Sequence, residues 1–247
     1  MALKTISNYS PNFNSKKRTF KKIKFIIFHY TGMKSESGAL NKLTNIQSEV
    51  SSHYLIKNNG EIIKVVPDLY IAWHAGKSSW KNYNSLNSNS IGIEITNPGH
   101  EHGYQKFKKK QISSLLKLSK FLIKKYKINS KNILGHSDIA TQRKKDPGEN
   151  FPWERLSKNK IGIWHTLNKL ELKKKRELKI NKIEEGSFLN NLFKIGYSKK
   201  NPKDINKAKY LKKLVKAFQR RFRQELIDGK IDQECLLIAK NLIKKYN

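Results

Sequence analysis

The sequence holds a single cysteine, Cys235, in 247 residues, which excludes an internal disulfide framework. Its neighbours Leu236, Leu237, Ile238 and Ala239 are apolar, so the thiol is expected as a small core group in a helix rather than a reactive one. Acids are scarce too: 19 Asp and Glu stand against 52 Lys and Arg, a formal charge of +33. That balance favours polyanionic partners such as nucleic acid, an anionic membrane or an acidic wall polymer. The lysines are nevertheless spread through every segment, beside abundant Asn and Ile. The charge therefore biases the choice of partner without identifying one. No apolar run approaches membrane-spanning length, and the start, Met1 to Ile6, carries no apolar stretch of signal length. The chain as given reads as cytoplasmic, or as periplasmic where a targeting segment has been removed. A long internal repeat is also missing.

Hydrophobic residues, 37% of the chain, suffice for the core of one mid-sized domain and one small one. Residues 1–22 are polar and basic and read as an arm lying over the first domain. Lys24 to His29 is a nearly continuous apolar run ending in histidine, expected as a strand buried on both faces. Ser37 to Ser48 reads as a short helix. The runs from Ser52 to Lys57 and from Glu61 to Val66 flank Asn58-Asn59-Gly60, a hairpin signal. Ala72 to Ser90 is a long loop rich in Trp, Ser and Asn, a length that in compact domains often serves function. Ile91 to Thr96 is a further strand. Lys108 to Tyr126 shows helical spacing with lysines outside, and Asn132 to Leu134 forms another short strand. Residues 161–185, rich in Lys and Glu, are expected as a linker helix. Residues 186–247 then carry three short helices, with Asp228-Gly229 as a turn.

The segment from Gly135 to Gly148 is too polar and too broken by Gly and Pro to be core, and it leaves the end of a strand. Polar loops in that position carry much of the chemistry of folded scaffolds. His29 ends one expected strand and His136 follows another. If those strands are neighbours, both imidazoles converge at one edge, and Asp146 lies far enough along to fold back and add a carboxylate. A hydrolytic zinc site takes three such ligands and keeps one position for water. Without the metal, each histidine is simply a partly buried ring bonded to backbone. Glu94 interrupts an apolar strand, either as a solvent-facing position or as a general base. Lys144 is either one more solvated lysine or a group that stabilises an oxyanion.

Six motifs occur in order: Phe28-His29-Tyr30-Thr31, Ser52-His53-Tyr54-Leu55-Ile56, Ala72-Trp73-His74-Ala75-Gly76, Ser90-Ile91-Gly92-Ile93-Glu94-Ile95, Gly135-His136-Ser137-Asp138-Ile139-Ala140 and Lys144-Lys145-Asp146-Pro147-Gly148. Together they resemble the type-2 N-acetylmuramoyl-L-alanine amidases, zinc enzymes sharing a fold with peptidoglycan-recognition proteins. The resemblance covers roughly residues 10–156. Ala217 to Arg223 and Asp228 to Asp232 resemble the family's three-helix peptidoglycan-binding domain. The fold implied is α/β, a mixed central β-sheet flanked by helices, plus a small all-α three-helix C-terminal domain. Its divisions are 1–160 for the amidase domain with its arm, 161–185 for the linker and 186–247 for the wall-binding unit.

The resemblance implies one zinc ion held by His29, His136 and Asp146, with Glu94 as general base and proton donor and Lys144 at the developing oxyanion. It implies substrate contacts from Tyr30, Trp73 and His74, and a structural place for His53. Asp138 matches a loop-forming position rather than a ligand. Thr141 stands where proline is common in the family. The scissile bond would join the lactyl group of N-acetylmuramic acid, or of its anhydro form, to L-alanine of the stem peptide. The absence of a visible signal suits recycled anhydro-muropeptides, whereas an appended wall-binding unit suits intact sacculus. A monomer is expected. Two other readings stand beside this one. A non-catalytic peptidoglycan-binding relative commonly lacks a zinc ligand, and here all three positions are filled. A nucleic-acid-binding protein would show a clustered basic face, with salt-sensitive affinity.

Overall fold

The two most continuous apolar runs lie side by side, in parallel, at the middle of a six-stranded sheet. A computed structural model describes residues 3–199 and 205–246; Met1 and Ala2 of the arm, and 200–204 and 247 of the C-terminal unit, lie outside the described residues. In chain order the strands are β1 (Ile6–Ser7), β2 (Phe13–Asn14), β3 (Phe25–Tyr30), β4 (Tyr54–Ile56), β5 (Ile62–Lys64), β6 (Ile71–Ala72), β7 (Ser79–Trp80), β8 (Tyr83–Asn84), β9 (Ser90–Ile95) and β10 (Ile133–Gly135). The central sheet runs β1-β5-β4-β9-β3-β10 and is parallel throughout except between β4 and β5. Its mixed character is the one expected. β3 and β9 are covered on both faces; β3 is accordingly apolar from Phe25 to Phe28, while β9 alternates Ile91, Ile93 and Ile95 with Ser90, Gly92 and Glu94, of which only Glu94 is not fully buried. The hairpin around Asn58-Asn59-Gly60 forms as expected, with Gly60 at φ +89°, a conformation that favours glycine.

The helices are α1 (Glu36–Thr44), α2 (Lys109–Tyr126), α3 (His136–Ile139), α4 (Trp153–Lys158), α5 (Lys169–Lys175), α6 (Lys182–Ile195), α7 (Lys207–Phe222) and α8 (Gln233–Tyr246). α2 buries Ile112, Leu115, Leu118, Leu122 and Tyr126 and turns its lysines outward. α1 stops before Ser48 because the Asn45 side chain accepts the Gln47 N–H and starts a separate tight turn. α1 covers the other face of the sheet, where Leu43 meets Leu55, Ile63 and Val65.

Three segments differ from expectation. The arm does more than lie on the surface: β1 pairs with β5, β2 pairs with β6, and the Arg18 side chain is buried, donating to the Asp68 and Asn87 carbonyls. The loop from Ala72 to Ser90 contains the β7–β8 hairpin and a tight turn at Leu86–Asn89. The connecting helix over 161–185 is shorter, confined to α5. α6 begins at Lys182, across the expected boundary, because Asn181 and Glu184 cap it reciprocally. Phe188, Leu192, Leu214, Phe218 and Ile238 of the C-terminal helices belong to the same buried cluster as Phe25, Phe28 and Trp153. Cys235 lies buried within that cluster, as its apolar neighbours suggest.

Candidate active site

Parallel strands deliver their last residues to the same end of a sheet, which is where α/β folds gather ligands. His29, near the end of β3, stands directly opposite Glu94 of β9. β10 lies on the other side of β3, with Gly135 opposite Phe28, so His136 emerges beside His29. The Ser137 N–H donates to the Asp146 carbonyl at 2.7 Å and folds the polar loop back on itself. His29 Nδ1, His136 Nδ1 and Asp146 Oδ2 then stand 3.0–3.1 Å from one another. All three residues are buried.

The hydrogen-bond partners favour one set of histidine tautomers. His136 Nε2 lies 3.2 Å from the Ala75 carbonyl, which can only accept, and 3.4 Å from the Arg143 guanidinium; the shorter contact favours a proton on Nε2 and a lone pair on Nδ1. The Ser90 hydroxyl donates to the Leu86 carbonyl at 2.6 Å and so accepts from His74 Nε2 at 3.2 Å. His74 Nδ1 is left to accept from His29 Nε2 at 3.0 Å, and His29 Nδ1 also carries a lone pair. Burial and the neighbouring His136 push the His29 imidazole down to about 4, consistent with a neutral ring. Two lone pairs and a carboxylate thus converge in a buried space, an arrangement that repels itself unless a cation sits among them. Donors on tetrahedral zinc, with bonds of about 2.0–2.1 Å, stand roughly 3.3 Å apart, close to the spacing found. The donor set fits zinc.

Glu94 Oε1 is 4.0 Å from His29 Nδ1, and its Oε2 has no hydrogen-bond partner among the described residues. Burial, then the Asp146 carboxylate, raise its pKa well above the usual range, while Lys144 opposes the rise. A buried carboxylate oxygen without a partner, on a residue that lines the cleft beside a candidate cation site, has the placement a general base needs. His29, Glu94, His136, Lys144 and Asp146 all line one cleft of about 340 Å³.

Tyr30, Trp73 and His74 line the same cleft. Trp73 is anchored to the arm, its indole N–H donating to Asn14 Oδ1 at 2.6 Å. Both nitrogens of His74 are engaged within the protein, by His29 and Ser90, and its ring lies flat over Gly92. A Cβ at Gly92 would meet His74 Cγ at 2.5 Å. His53 is fully buried behind it, with Nδ1 accepting the Gly92 N–H at 3.0 Å. Asp138 stands outside the His29, His136 and Asp146 cluster and accepts the Gly135 N–H at 2.8 Å.

Sequence reasoning missed a chain of groups on the rim. The Tyr30 hydroxyl donates to His100 Nδ1 at 2.9 Å, and His100 Nε2 donates to Glu149 at 3.1 Å. His100 stacks on Tyr104, and burial pushes the Tyr30 phenol up to about 12. The available signal was a histidine right after the Asn97-Pro98-Gly99 turn that ends β9.

The profile of the N-acetylmuramoyl-L-alanine amidase family matches residues 19–149. The chain is 36% identical to the N-acetylmuramoyl-L-alanine amidase AmiD of Escherichia coli over 239 residues, covering 92% of this chain and 84% of that one. The structure of AmiD in complex with the substrate anhydro-N-acetylmuramic acid-L-Ala-D-γ-Glu-L-Lys superposes with a TM-score of 0.79 at 33% identity, over 94% of this chain and 93% of the other. AmpDh3 of Pseudomonas aeruginosa, in complex with anhydromuramic pentapeptide, gives 0.77 at 31% identity over 94% and 97%.

Proposed function

Because this chain belongs to the N-acetylmuramoyl-L-alanine amidase family, we propose that it hydrolyses the amide between the lactyl carboxyl of anhydro-N-acetylmuramic acid and L-alanine in muropeptides, using one zinc ion held by His29, His136 and Asp146. The observation that carries this reading is the convergence of two imidazole lone pairs and a carboxylate oxygen within 3.1 Å of one another. Zinc bound there would supply Lewis acidity, bringing water toward ionisation near neutral pH and polarising the scissile carbonyl.

The chain's own residues do the rest. Glu94 takes a proton from the attacking water while the new C–O bond forms, then returns it to the alanine nitrogen as the C–N bond breaks. The products are a muramyl carboxylate and a stem peptide with a free amino terminus. Lys144 places its positive charge beside the carbonyl oxygen as that oxygen gains negative charge. The AmiD and AmpDh3 complexes, which hold anhydromuramyl peptides, support the anhydro form as substrate and a role in wall recycling.

The test is release of stem peptide from purified anhydro-muropeptide, followed by mass spectrometry. Chelation is expected to abolish release and added zinc to restore it. Unchanged turnover after thorough metal removal would overturn the mechanism. Intact sacculi assayed in parallel separate recycling from wall remodelling.

A further inference from the structure

The residue two positions beyond His136 is held from the far end of the chain. Asp138 is 1% exposed, and its carboxylate is saturated by three donors from different places. Oδ2 accepts the Gly135 N–H at 2.8 Å, Oδ1 accepts the Tyr197 hydroxyl at 2.8 Å, and Arg221 closes a buried ion pair on Oδ2. Arg221 also donates to the Ile133 carbonyl at 3.0 Å and lies over the Trp153 ring at 4.2 Å. One guanidinium therefore grips both β10 and the loop that follows it. Tyr197 follows α6 and leans on Trp80 at 4.9 Å, where Gly196 leaves room for the indole.

α3, which carries His136, is a single turn of four residues. So short a helix has no stability of its own, and its backbone is set by what surrounds it. Asp138 holds the N–H of Gly135, the residue before His136, and Arg221 is the cation that faces its buried carboxylate. We propose that Arg221 and Tyr197 are positioning residues for His136, so that the C-terminal helices are part of the metal site and not only an appended module. This rests on the assignment of His136 as a metal ligand.

The experiment titrates the full chain with Co²⁺ against a chromophoric chelator and records the cobalt absorption bands, with thermal unfolding measured on the same samples. Tyr197→Phe keeps the ring and its packing; Arg221→Lys keeps the charge but not the fork that reaches two acceptors. Each is expected to weaken metal affinity by roughly 10-fold or more, to shift the cobalt bands, and to lower kcat with little change in KM. Leu242→Ala, in α8, is the control, losing stability with affinity and spectrum unchanged. Folded Tyr197→Phe protein with unaltered affinity and bands would overturn the proposal, as would an equal loss in Leu242→Ala. Failure of the unaltered chain to bind any metal would instead overturn the assignment of the site, and this proposal with it.

Discussion

Glu94 and His29 are paired across two parallel strands, residue opposite residue, with the carboxylate 4.0 Å from the imidazole nitrogen. Strand register, not loop geometry, fixes the distance between the proposed base and the proposed metal ligand. Glu94→Gln is nearly isosteric, so the register and the three ligands should survive it. Turnover is expected to fall by roughly 10²- to 10⁴-fold, with zinc affinity within about two-fold of the unaltered protein. Competition titration and steady-state kinetics on one preparation check both numbers. Normal cleavage by the variant would place the base elsewhere.

Lys144 has a different signature. A group that meets charge only as it develops contributes to the transition state and little to binding. Lys144→Ala is expected to lower kcat by roughly 10²- to 10³-fold, leaving KM within a few-fold, and Lys144→Arg to recover part of the loss. A rise in KM at constant kcat would show that Lys144 only binds substrate.

Gly92 makes room for His74, and His74 orients His29. Gly92→Ala puts a methyl group against a ring that cannot bend, so His74 must leave its place and release His29 Nε2. The expected result is a loss of about 1–3 kcal/mol in stability together with a roughly 10- to 100-fold loss of zinc affinity. Urea unfolding and metal competition read the two effects separately. Metal affinity unchanged in a destabilised variant would mean that His29 needs no such support.

Burial pushes the imidazoles of His53 and His165 down to about 3 and about 4. Unfolded, each takes up a proton near pH 6.5. Between pH 6.5 and 4 the unfolded chain therefore binds more protons than the native one, and stability falls as pH is lowered. The slope is about 1.4 kcal/mol per pH unit for each histidine. Urea unfolding from pH 6.5 to 4.5 should show it, and His165→Gln should flatten it by one proton's share. An unchanged slope would mean that His165 is protonated in the fold.

The strands were legible because burial on both faces gives β3 an unbroken apolar run from Phe25 to Phe28, and because β9 repeats isoleucine at every second position. His29, Glu94 and His136 were legible for the same reason: a polar residue at the end of such a run needs an explanation. What pairs across the fold leaves no local trace. Tyr30, His100 and Glu149 join through bonds spanning 70 and 49 positions, and although Tyr30 was expected at the substrate, nothing in its segment points to His100 or Glu149 as its partners. Arg221 was hidden among 52 cations, although it is one of few that are buried. His74 was expected at the substrate from its loop, but its partners His29 and Ser90 follow from register and from the missing side chain at Gly92. The boundary at 186 was drawn from composition, whereas helix starts are set by capping side chains such as Asn181.

The distances along the chain between the groups that meet at the site also set the order in which a growing chain can acquire it. His29 and Glu94 are made early; His136 must close onto His29 across 107 positions, and Arg221 onto Asp138 across a further 83. Closures that long come late in folding. A nascent chain halted before residue 221 would carry His29, Glu94, His136, Lys144 and Asp146 while Asp138 still lacked its Arg221 partner. The groups that meet at the cleft are therefore completed only when nearly the whole chain has been made.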